Sequence, residues 1–174
     1  MKRTILIHPD PRLKKSAEPV ADLSDELRQL AGDMLDTMYA APGIGLAAPQ
    51  VGVLSRLVVV DCEKDDSSER NPIVMFNPEI VAVSDERGTY EEGCLSIPDI
   101  YAEVERPAEA TVQWMDIHGA AQKQTFDGLW ATCIQHEIDH LEGKLFIDYL
   151  KPLKRQMITR KMIKLKKERA REGA

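Results

Sequence analysis

The chain has 174 residues, 43% of them hydrophobic and 30% charged, with a formal net charge of −6. One domain of this length buries about 70% of its unfolded surface, so neither a disulfide-stapled miniprotein nor a disordered chain is expected. Cys62, Cys94 and Cys133 form no paired framework, which points to a reducing, cytoplasmic setting without disulfides.

At the N-terminus the apolar run covers only Ile5 to Ile7 before His8-Pro9-Asp10-Pro11 interrupts it, too short for a signal peptide. Residues 25–40 place Leu27, Leu30, Ala31, Met34, Leu35 and Met38 at the spacing of an amphipathic helix. Asp22 or Ser24 can cap its start, and Pro42-Gly43 ends it. From Gly52 to Phe126 short β-rich runs follow at 57–60, 73–76, 80–83, 101–104, 110–114 and 122–126. Polar or turn-forming stretches at 63–71, 84–88 and 116–119 separate them. The aliphatic run at 57–60 is far too short to span a membrane.

Asp127 can cap a second helix in which Leu129, Trp130, Ala131, Cys133, Ile134, Ile138 and Leu141 leave little polar face, with Gly143 beyond its end. A third helix at about 152–171 carries Leu153, Met157, Ile158, Met162, Ile163 and Leu165 on a basic background. The expected fold is one α+β domain, 1–174: antiparallel, meandering strands packed around this central second helix, with an N-terminal and a C-terminal helix. Charge is uneven. Residues 151–174 hold ten Lys or Arg against Glu168 and Glu172, whereas residues 1–150 hold 13 against 27 acidic side chains. Either the tail meets a polyanion or it is a solvated helix end.

Chemistry enters with His136-Glu137-Ile138-Asp139-His140 on the second helix. Histidines four apart share a helix face, about 6 Å apart along the axis, and can reach one metal ion. Glu137 then lies beside that ion as a general base. A hydrolytic site takes a third protein ligand and leaves one position open. A third zincin histidine would fall at 146, which is Phe146; a downstream glutamate would have to be Glu168, in the basic tail. Cys133 is about 10.5 Å from His140 along one helix, too far to share the ion. Of Cys62, Cys94, His8 and His118, Cys94 is preferred, because Gly93 before it lets backbone approach a ligand closely.

Three segments, Gly43-Ile44-Gly45-Leu46-Ala47-Ala48-Pro49-Gln50, Glu92-Gly93-Cys94-Leu95-Ser96 and Gln135-His136-Glu137-Ile138-Asp139-His140, resemble in order and spacing the signature motifs of bacterial peptide deformylases. Each alone is weak; together they are specific. The N-terminal His8-to-Leu13 stretch and the last helix resemble the type with a helical C-terminus. The resemblance implies hydrolysis of the N-formyl group from the initiator methionine of new polypeptides, with release of formate. It implies Cys94, His136 and His140 as metal ligands, Glu137 as acid/base, and the Gln50 amide with the Leu95 N–H as donors to the developing oxyanion.

Gly43 and Gly45 would let an extended segment pair with substrate backbone. Ile44, Leu129, Thr132 and Cys133 would line the methionine slot, Thr132 either narrowing it or facing aside. Glu92 can pair with Arg106 to brace the metal-binding strand. Some relatives carry arginine where this chain has Tyr101. By ligand type zinc, iron(II), cobalt and nickel all suit the site; the resemblance favours iron(II). It also suggests ribosome contact through Lys154, Arg155, Arg160, Lys161, Lys164, Lys166, Lys167 and Arg169, with no membrane or DNA partner. The rivals are a zinc endopeptidase or small amidase, and an RNA-binding module with an inert metal site; Glu137 and Gln50 speak against the latter.

Overall fold

The computed structural model describes residues 1–63 and 69–173. Five strands form an antiparallel sheet in the order β1 (Gly45–Ala47), β2 (Leu57–Val60), β3 (Ile73–Val83), β6 (Glu109–Met115), β7 (Ala121–Asp127). β4 (Arg87–Cys94) and β5 (Ile97–Pro107) pair separately as a long hairpin. Helices α1 (Asp25–Ala40) and α2 (Gly128–Leu141) cover the two faces of the larger sheet, and α3 (Pro152–Glu172) follows a short 3-10 turn, Phe146–Tyr149.

The uninterrupted aliphatic run of β2 has a direct cause: both of its faces are covered. Leu57 and Val59 join Leu30, Ala31, Met34 and Met38 of α1. Val58 and Val60 point the other way, into a cluster with Ala131, Cys133, Ile134, Ile138 and Leu141 of α2. Helix α2 is therefore enclosed, as its nearly all-apolar surface requires. A third cluster, under the β4–β5 hairpin, gathers Leu13, Ile97, Val104, Phe146, Ile158 and Met162.

The α+β class and the three helices stand as expected, but several local expectations do not. Ile73 to Val83 is one strand, not two, because the chain passes Asn77-Pro78 without leaving the sheet. Asn77 takes a positive φ of 51°, and its side-chain amide exchanges two hydrogen bonds with the Val20 backbone. Strands β1 and β4 had no alternating apolar signal; β4 reads Arg-Gly-Thr-Tyr-Glu-Glu-Gly-Cys, is mostly exposed, and is held to β5 by its backbone ladder with the Arg87–Glu105 and Glu92–Arg106 pairs across it. β5 extends three to four residues beyond the 101–104 run at each end. The strands thus form two sheets, not a single meander. Part of the expected 63–71 separator, residues 64–68, lies outside the described residues.

Ser24 caps α1, accepting from Leu27 N. Asp127 occupies the cap position of α2 without a side-chain hydrogen bond. On α3 the buried line is Ile158 and Met162, while Leu153, Met157 and Ile163 are exposed. The expected six-residue stripe is thus split: only part of it packs on the body.

Candidate active site

Helix α2 presents His136, Glu137 and His140 from one buried turn, and the end of β4 brings Cys94 to them. Donor atoms of Cys94, His136 and His140 all lie within 4.8 Å of one another, and among the described residues this is the group able to hold a metal ion. Cys94 Sγ is 3.5 Å from His140 Nε2. Tetrahedral bonds of about 2.1 and 2.3 Å would separate such a pair by roughly 3.6 Å, so the donors fit a single ion. Cys62, Cys133, His8 and His118 stand outside the group. The thiol of Cys133 donates to Ile44 O at 3.5 Å, and neighbouring Cys62 and burial both raise its pKa, so it stays neutral.

The electrostatics suit a cation. Burial opposes a proton on His136, yet its contacts with Cys94 and Glu92 outweigh burial and raise its pKa. Its Nδ1 donates to Glu92 Oε1 at 2.9 Å, leaving Nε2 for the site. His140 is fully buried and its pKa is driven down, chiefly by desolvation, which keeps the ring neutral and able to donate a lone pair. Glu137 is 3% exposed. Burial pushes its carboxyl up to about 7, and its Oε2 has no hydrogen-bond partner in the protein. A carboxyl so placed can take and return a proton near neutral pH.

Gln50, on the 3-10 turn Ala48–Val51 after β1, is 1% exposed. Its Oε1 accepts from Ala47 N at 2.9 Å, which aims the amide nitrogen at Ser96 Oγ (3.1 Å) and Cys94 Sγ (3.5 Å). Leu95 occupies the tight turn between β4 and β5 and lines the adjoining cavity of about 770 Å³. Gly43, Ile44, Gly45, Leu129, Thr132 and Cys133 line the same cavity, as do Cys94, His136 and Glu137, whereas His140 is fully buried outside its lining. β1 is an edge strand of its sheet, so an extended chain can be added beside it. A Cβ at Gly45 would meet Cys133 Sγ and Glu137 Cγ at 2.9 Å, so only glycine lets β1 run this close to α2.

Around His136 the structure assembles more than the sequence foretold. Arg106 grips Glu92 through Nε at 2.7 Å and Nη2 at 3.0 Å. Its third arm, Nη1, reaches Asp139 Oδ2 at 2.8 Å, and the Tyr149 hydroxyl donates to that same oxygen at 2.8 Å. Phe146, which stands where a zincin would carry its third histidine, instead stacks on the His136 ring with centroids 6.0 Å apart. Ser96, Asp139, Phe146 and Tyr149 had no role assigned from sequence; Ser96 and Asp139 lie inside the motifs, beside Cys94 and His136, and so carried a local signal.

An α+β fold with convergent sulfur and imidazole donors, a buried carboxyl and an open groove defines a hydrolase of the single-metal class. The polypeptide deformylase family model matches residues 2–156. Peptide deformylase of Rhizobium meliloti is 54% identical over 167 residues, 96% of this chain and 95% of that protein. The Brucella suis enzyme is 54% identical over 97% and 95%. Among solved structures, peptide deformylase from Ehrlichia chaffeensis superposes with a TM-score of 0.92 at 35% identity, covering 98% of this chain and 99% of that one. The Legionella pneumophila enzyme gives 0.89 at 48%, with the same coverage. The chain belongs to the polypeptide deformylase family.

Proposed function

We propose that Cys94, His136 and His140 hold one divalent ion, iron(II) in the cell with zinc, nickel or cobalt able to replace it, and that Glu137, Gln50 and Leu95 carry out the reaction around it. The chain is an amide hydrolase that removes the formyl group from the N-terminal methionine of newly made polypeptides. When bound, the ion supplies an activated water at neutral pH and polarises the formyl carbonyl. The observation that carries this reading is the buried Glu137 carboxyl, with an unpartnered oxygen, beside three mutually close donors.

Each residue has a task. Glu137 takes the proton from the attacking water and passes it to the leaving amine, which cannot depart as an anion. The Gln50 amide and the Leu95 N–H stabilise the oxyanion as the formyl carbon becomes tetrahedral. Ile44, Leu129, Thr132 and Cys133 receive the methionine side chain, and Gly43, Ile44 and Gly45, leading into the edge strand β1, align the peptide. This backbone pairing explains tolerance of varied sequence after methionine. Glu92, backed by Arg106, fixes the ring of His136. The setting is cytoplasmic, and the basic face of α3 contacts the ribosome, where nascent chains emerge.

The test is formate release from formyl-Met-Ala-Ser by protein prepared without oxygen and loaded with iron(II), nickel or zinc. Metal-dependent release that disappears in Glu137→Ala is expected. An unformylated peptide cleaved in its place would turn the reading to an endopeptidase.

A further inference from the structure

We propose that Tyr149 is a positioning residue for the metal centre, acting on His136 through Asp139, Arg106 and Glu92. This rests on the reading of Cys94, His136 and His140 as metal ligands. The direction of a histidine lone pair depends on what holds the opposite ring nitrogen. Here Glu92 holds it, at 2.9 Å. Glu92 can fix the ring only as well as it is itself fixed, and its partner is the long, intrinsically mobile side chain of Arg106.

Arg106 is secured on three sides. Two of its nitrogens meet Glu92, a third meets Asp139, and its guanidinium carbon lies 4.8 Å from the centroid of the Tyr149 ring. Tyr149 contributes to two of these restraints. Its ring receives the cation, and its hydroxyl donates to the same Asp139 oxygen as Arg106 Nη1. With the hydroxyl removed, Asp139 Oδ2 keeps one donor, Asp139 gains freedom to rotate, and the distal arm of Arg106 loosens.

The 3-10 turn that carries Tyr149 also carries Phe146, stacked on the face of His136. One turn therefore holds the ring from its face and, through four side chains, from its edge. Unlike the other members of the network, Tyr149 is 50% exposed. Its hydroxyl is the one link that can be removed without opening a cavity.

The experiment loads the full chain and its Tyr149→Phe variant with cobalt(II), then follows the visible thiolate–cobalt absorption during challenge with excess chelator. We expect Tyr149→Phe to lose cobalt about 3- to 10-fold faster, less than the 10–100-fold typical of partners that touch a ligand directly. The cobalt spectrum should shift, and the KM for formyl-Met-Ala-Ser should stay unchanged. In a Glu92→Ala background the same substitution should add little, because the acceptor for His136 Nδ1 is gone. Asp139→Asn should resemble Tyr149→Phe. Unchanged cobalt loss and spectrum in Tyr149→Phe, or full additivity with Glu92→Ala, overturns the proposal, as does a loss of thermal stability alone. Failure of the unsubstituted chain to bind cobalt would instead overturn the reading of the ligands.

Discussion

Two side chains at the residue scale give predictions that separate chemistry from folding. Gln50 bonds to Ala47 N through its oxygen and faces Cys94 through its nitrogen. Gln50→Leu should lower kcat for formate release by about 10²- to 10³-fold, as loss of one oxyanion donor does, and cost roughly 1 kcal/mol of stability through the stranded Ala47 N–H. Metal content by atomic absorption should be unchanged; a variant with near-normal kcat would remove Gln50 from the mechanism. His8 is the second. Burial lowers its pKa from 6.5 to about 4, and its Nε2 lies 2.8 Å from Thr159 Oγ1 on α3. A depressed histidine stabilises the fold above about pH 6.5, and that contribution disappears as the pH falls towards 4. Relative to His8→Gln, the native chain should lose roughly 1–2 kcal/mol between pH 7 and 4.5, once solvent screening is allowed for. Urea denaturation of both at several pH values measures it, and parallel curves would refute it.

Elements meet here with little clearance, and α2 shows why. It is fixed at its start by the left-handed Gly128 (φ 54°) and at its end by Gly143 (φ 73°). A Cβ at Gly143 would also come within 2.5 Å of Lys14 O, so the chain leaving α2 passes directly over the backbone at the end of an N-terminal 3-10 turn, Pro11–Lys14. Gly143→Ala therefore meets both a left-handed backbone and a clash, and should lower stability by more than about 1–2 kcal/mol. Calorimetry checks this; a shift within error would mean that the turn gives way. How legible the elements were in the sequence followed from how they are covered. Helices α1 and α2 and strand β2 have faces or whole surfaces that must be apolar, and their patterns show it. β4 lies half in solvent with a polar sequence, so backbone pairing to β5 decides it and leaves no periodic trace.

For the whole molecule, α3 has two faces, one packed on the body and one basic and exposed. Ile158 and Met162 are buried with Leu13, Ile97 and Phe146, each contributing about 1.5–3 kcal/mol through burial. Lys161, Lys164 and Lys167 are exposed. Deleting residues 153–174 would confuse the two by uncovering that cluster. Lys161→Glu, Lys164→Glu and Lys167→Glu together should leave melting temperature and formate release nearly unchanged while abolishing salt-sensitive co-sedimentation with ribosomes. Undiminished pelleting would show that the basic face does not serve ribosome contact. No helix among the described residues is long and apolar enough to cross a membrane.

The sequence by itself determined the fold class, the three helices and the residue types of the site, because helical periodicity and the spacing of His136, Glu137 and His140 are local properties of the chain. It also held the family, through three motifs spread over nearly a hundred residues. Only the tertiary structure decided what lies between those motifs. Cys94 ends a strand of the β4–β5 hairpin while Gln50 sits on a 3-10 turn after β1, and Glu92, Arg106, Asp139 and Tyr149 come from two strands, a helix and a turn. Side-chain contacts between elements 33 or 44 residues apart, such as Arg106 with Asp139 or Glu92 with His136, depend on how layers pack. No periodicity along the chain records that packing.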